Sequence, residues 1–222
     1  MTRSTAGIAA AVCAVLVATI VLPVSPVRAQ HPGQMWDSLV PRLKAQLASK
    51  PDPEVALRLA LVYAHDGALI DWWHTLKQID QMIGGDGHRE AVARRASARA
   101  AGEVLQDPHN LLARYELAFA SWFTEDDHHT ALQELREITR QEPRNPINHG
   151  YLGYVYADRK DTRNTIAQWE EGVRLDPNNN AIRYLLGMAY SHVGRTRDAA
   201  VQFALAYRDR TVYNYVTRGE QP

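Results

Sequence analysis

Apolar side chains follow two different patterns along this chain. From Ala6 to Leu22 they form an almost unbroken run of Ala, Val, Ile and Leu. Beyond about residue 36 they recur at intervals of three and four, the spacing that gathers them on one face of a helix. In the last third that pattern repeats every 34 residues: Leu152 falls on Leu186, Gly153 on Gly187, Tyr156 on Tyr190, Trp169 on Phe203 and Gly172 on Ala206. A fixed period of this size means stacked supersecondary units, none of which can bury its apolar face alone.

Each unit reads as two helices. In the clearest, Asn145 is placed to cap the first helix and Pro146 to open it, where its missing donor costs nothing. That helix runs to about Asp158, Asp161 caps the second, and Leu175-Asp176-Pro177 stops it. A mid-helix glycine ordinarily costs about 1 kcal/mol relative to Ala. Its recurrence at Gly153 and Gly187 predicts a close approach of the paired helices. Thr165 and Ala199 are expected to supply the small facing surface, with Trp169 and Phe203 filling the gap toward the neighbouring helix.

The clear copies span 146–179 and 180–213. A degenerate copy at 112–145 is anchored by Trp122, Ala131 and Pro143, with Ile138 where a small residue belongs. Farther upstream the register fades, but Leu57, Leu59, Ala60 and Tyr63, then Trp72, Leu76 and Ile79, read as another helix pair over 53–86. Residues 88–106 form one helix with Val92, Ala96, Val104 and Leu105 inward. Residues 36–49 form a leading helix on Leu39, Leu43 and Leu47, its start delayed by Pro41. Gly84-Gly85-Asp86-Gly87 reads as a loop; it lacks the Lys-Ser/Thr ending of a phosphate-binding loop.

The unit Leu152-Gly153-x-x-Tyr156, small residue at 165, aromatic at 169, small at 172 and Pro177 resembles the tetratricopeptide repeat. The second copy matches at Leu186, Gly187, Tyr190, Ala199, Phe203 and Ala206, with Thr211 where the proline belongs. The resemblance implies an all-α fold, a right-handed α-solenoid of stacked helix-turn-helix units. It also implies a concave groove, lined by the first helix of each pair, that takes a peptide segment. Carried over by position, the groove set is Leu57, Arg58 and Leu61, then Ile147, Tyr151, Tyr154 and Asp158, then Tyr184, Leu185, Met188 and His192. Tyr and Met suit such a role, since they give adaptable contact area. The Lys and Asn of the carboxylate-clamping members are replaced here by Leu57 and Leu61, so a chaperone-tail clamp is not expected. The stretch Leu39 to Tyr63 is also similar to the repeat region of cytochrome c maturation factors that hold apocytochrome tails.

Charge and chemistry narrow the function further. The 222 residues carry 25 Lys and Arg against 25 Asp and Glu. That balance offers no basic excess for a nucleic acid. Arg3 followed by the apolar run, then Pro23, Pro26 and Val27-Arg28-Ala29, has the layout of an export signal cut after Ala29. An uncleaved anchor facing outside is the alternative, because a run of this length just spans a bilayer. The chain is thus expected to be periplasmic or secreted, touching membrane only through residues 1–29. The sole cysteine, Cys13, lies inside the run, which leaves the exported part without thiol chemistry.

No nucleophile motif occurs, and the densest polar cluster, Glu125-Asp126-Asp127-His128-His129, reads as a helix start with acids at its N-terminus rather than a metal site. No cofactor, no metal and no catalysis are expected. The expected role is a scaffold or assembly factor binding a protein or peptide partner. A self-associating structural protein, a homo-oligomer, stays open as the alternative, with an apocytochrome c maturation-type chaperone and an enzyme whose residues converge from distant segments behind it. At the C-terminal end, Val212, Tyr213, Tyr215 and Val216 are expected to fold back as a short lid over the last unit.

Overall fold

The computed structural model describes residues 34–65, 69–84, 86–124 and 128–207. Among the described residues ten helices follow one another: α1 (Gln34–Ser49), α2 (Pro53–His65), α3 (Leu69–Ile83), α4 (Asp86–Gln106), α5 (Leu111–Thr124), α6 (His129–Gln141), α7 (Pro146–Asp158), α8 (Thr162–Leu175), α9 (Asn180–His192) and α10 (Thr196–Ala206). No strand occurs among the described residues, and no described helix is long and apolar enough to cross a membrane. The expected signal 1–29, its cut after Ala29, the acids Glu125 to Asp127 and the expected lid at 212–216 lie outside the described residues.

From α5 onward the architecture is an all-α stack of helix pairs, α5 with α6, α7 with α8 and α9 with α10, each packed on the next. The caps are those the residue types dictate. Asn145 accepts a hydrogen bond from the Ile147 amide at 3.0 Å, Asp161 from Asn164 at 3.2 Å and Asn179 from Ile182 at 3.1 Å. Each satisfies a donor that the first turn leaves orphaned, an effect of about 1 kcal/mol.

The repeated glycines do bring the paired helices together, but by a route that differs from the expected one. A Cβ on Gly153 would lie 2.4 Å from Trp169 Nε1, and one on Gly187 would lie 2.7 Å from Phe203 Cε1. The aromatic itself therefore lies over the glycine of its own pair, the place expected for Thr165 and Ala199. The contact between units is made elsewhere: a Cβ on Gly172 would come 3.1 Å from Ile182 Cδ1, so the small residue of α8 receives the aliphatic side chain of α9. The two clear repeats thus each carry a notch within the pair, and Gly172 supplies another between them.

Upstream, α2 and α3 form a hairpin, while the long α4 packs mainly on α5, and α2 also reaches α5 directly. Leu105, expected inward, is 84% exposed. The buried stripe of α4 is Val92, Ala93, Ala96 and Ala100, and five residues beyond Ala100 is about 140° further round the helix. Gly84 closes α3 with a left-handed φ of 71°, and α4 begins at Asp86, so the predicted four-residue loop is shorter than expected. Pro41 sits inside α1 instead of delaying it. Its side chain is exposed.

Candidate functional site

The groove positions fall into a closed part and an open part. In the closed part, Leu61, Tyr151 and Tyr154 are only 3%, 6% and 7% exposed. The Tyr151 hydroxyl donates to the Ala64 carbonyl at 3.5 Å, and its ring meets Phe119 edge-on with centroids 4.9 Å apart. Burial pushes this phenol well above its ordinary range. Tyr154 is wedged between Trp122 and Trp169, at 5.9 and 6.0 Å. Leu57 and Ile147 are half-buried against the core, and Leu185 is buried in it. The last turn of α2 fills the space that Tyr151 faces, so these side chains hold the stack together and leave no contact area for a partner.

Arg58 is likewise engaged. Its Nε donates to Glu116 Oε2 at 2.8 Å, and a second nitrogen pairs with Glu103. Glu116 is completely buried and also pairs with Arg99, which reaches on to Glu54. Burial pushes the Glu116 carboxyl up, and the two guanidinium groups pull against it. This ion-pair network joins α2, α4 and α5. Sequence reasoning missed it, although one signal was present: Glu116 shares its face of α5 with Leu112, Ala113, Phe119 and Ala120, and a charge there needs a partner.

A second buried polar cluster ties the end of α2 to the start of α7. His65 Nε2 lies 3.0 Å from Glu142 Oε2, which also accepts from Asn148 at 3.2 Å and Asn145 at 3.3 Å. The Tyr115 hydroxyl bonds to the Asn148 side chain, and its ring meets His65 edge-on at 5.4 Å. Burial by itself would raise the Glu142 carboxyl, but the His65 bond and charge, with the two amides, hold it at about 2. His65 is therefore a core residue, whereas His74 is exposed.

The open part is carried by the end of α7 and by α9. Tyr184 is half-buried, its ring near Phe203 at 5.6 Å and Tyr207 at 6.0 Å. Met188 is 44% exposed, and His192 is exposed one turn beyond it. Met188 holds the repeat position that Tyr154 holds one unit earlier, so the same position is covered in α7 and uncovered in α9. Asp158 ends α7, with Oδ2 accepting from Trp122 Nε1 at 2.8 Å and lying 4.0 Å from His128 Nε2. Burial pushes the Asp158 carboxyl up, partly offset by the Trp122 bond and His128.

His128 precedes α6 in a left-handed conformation with φ of 53°, and its side chain makes no capping hydrogen bond. The acids Glu125 to Asp127 of the predicted helix start lie outside the described residues; of the cluster, His128 and His129 are described. Among the described residues no group of three or more His, Cys, Asp or Glu could hold a metal ion.

No family model matches the chain, and no curated protein matches it. Solved structures do. The MamA RS-1 ArsTM double mutant is 15% identical over 98% of this chain and 99% of its own, with a TM-score of 0.50. MamA MSR-1 is 17% identical over 77% of this chain and 91% of its own, also with a TM-score of 0.50. Identity this low speaks for the fold alone. With the notch geometry of Gly153, Gly187 and Gly172, the chain has the tetratricopeptide-repeat fold, an all-α solenoid.

Proposed function

We propose that this protein is a non-catalytic scaffold that binds a segment of another protein along the open side of α9 and the end of α7, outside the cytoplasmic membrane. The observation that carries the reading is the exposure of Met188 at a repeat position that is buried one unit earlier. A flexible thioether flanked by Tyr184 and His192 is a surface that adapts to a partner. Residues 1–29, with one positive charge ahead of an apolar run, support export. The repeat fold supports a scaffold role, since such stacks present extended surfaces for other chains. The test is affinity capture from the cell envelope with the full chain and with Tyr184→Ala and Met188→Glu variants. Partner recovery is expected to fall at least tenfold with unchanged helicity by circular dichroism. Unchanged recovery overturns the groove.

A second reading, self-association, draws on α10. On two successive second helices the outer ridge carries the ion pairs Glu137–Arg140 and Glu171–Arg174. One period later the ridge holds exposed Val201 and Leu205, with Leu205 in place of the glutamate. Sedimentation over a hundredfold concentration range separates the readings: a constant monomer mass removes the second.

A further inference from the structure

We infer that Asp158 anchors a positively charged side chain, a lysine or arginine, of the bound segment. The inference rests on the groove reading above and adds the chemistry of what the groove selects. It begins from a contrast among the covered acids. Glu116 has Arg58 and Arg99, Glu134 has Arg114, and Glu142 has His65 at 3.0 Å. Asp158 is less deeply covered, its side chain 22% exposed against 0%, 7% and 12% for the other three, and no Lys or Arg forms an ion pair with it among the described residues. Its one ion-pair contact among the described residues is with His128, whose Nε2 stands 4.0 Å away, at the outer limit of such a pair. A carboxylate taken largely out of water is costly unless a cation meets it.

The surroundings suit a cation that arrives from outside. The indole of Trp122 engages Oδ2 at 2.8 Å, which fixes the carboxylate and leaves Oδ1 for another donor. The rings of Trp122 and Tyr154 are buried, so the carboxylate itself is what the incoming cation meets. The site lies at the end of α7, one repeat before exposed His192 at the matching position of α9, so a segment lying along α9 passes it.

The test is selection of twelve-residue peptides from a random displayed library on the full chain, followed by affinity measurement of the selected peptides by fluorescence anisotropy. Selected sequences are expected to share a Lys or Arg at one position. Replacing that residue by norleucine, or the protein's Asp158 by Asn, is expected to weaken binding at least tenfold. Asp158→Lys is expected to shift the selected residue to Asp or Glu, a change that a purely structural role for Asp158 would not produce. The norleucine peptide keeps the question answerable should Asp158→Lys fail to fold. Selected peptides without a shared basic residue, or equal binding by the Asn variant, overturn the anchor. If in that case Met188→Glu still abolishes binding, the groove stands without it. Peptides whose binding Met188→Glu leaves intact overturn the groove and the anchor together.

Discussion

The Trp169 indole lies across Gly153, and its Nε1, 2.4 Å from where a Cβ on that glycine would be, donates to the Gly150 carbonyl at 3.0 Å. The ring is therefore held on both sides, by the notch beneath it and by the bond at its edge. Phe203 occupies the same place over Gly187, but nothing on a phenyl ring can make the matching bond. The two repeats share a shape and differ in how firmly it is locked.

That difference predicts unequal responses to Gly→Ala. Alanine adds about 1 kcal/mol of helix propensity at either site, and overpacking costs about 1 to 3 kcal/mol. Gly153→Ala, which must displace a hydrogen-bonded indole, is expected to destabilise by about 2 kcal/mol net. Gly187→Ala, against a phenyl ring that no hydrogen bond holds in place, is expected to lose less than about 1 kcal/mol. Urea unfolding midpoints of the two variants check the order.

Removing Glu116 leaves Arg58 and Arg99 without their shared buried acceptor. Glu116→Ala is expected to cost about 3 to 5 kcal/mol, as breaking a buried pair from one side does. Glu137→Ala, which removes a surface pair with Arg140, is expected to cost less than about 1 kcal/mol. Equal losses in chemical denaturation would show that the network does not fasten α2 to the stack.

Acid should loosen the joint between α2 and α7. The Glu142 carboxyl is held at about 2 in the folded chain, below its ordinary value near 4.5. A depressed acid contributes stability that is whole above the unfolded value and is lost as pH falls toward the folded one. Stability is therefore expected to decline between about pH 4.5 and 2, by on the order of 2 kcal/mol from this group. Glu142→Gln should flatten that stretch of the pH profile, which thermal melts at successive pH values would read. An unchanged profile would remove the assigned role of the His65–Glu142 contact.

Helix boundaries from α7 to α9 were legible because their causes are local. Asn145, Pro146, Asp161 and Pro177 act within one turn of where they stand. Leu105 was misread for the opposite reason. An Ala-rich helix such as α4 buries whichever stripe its neighbours select, and the large residue can be left outside. The groove set suffered in the same way: Tyr151 and Tyr154 have the residue type and position of contact residues, yet α2 and the facing aromatics cover them.

The sequence by itself determined the helical repeat, because a recurrence every 34 residues reports contacts between nearest neighbours in the chain. Tertiary structure alone decided which polar groups meet, since Arg58 finds Glu116 across 58 residues and His65 finds Glu142 across 77. No local periodicity records such partners. Where α2 comes to rest against α5 and α7 depends on closing a long stretch of chain, and that closure determines which face of the solenoid remains open.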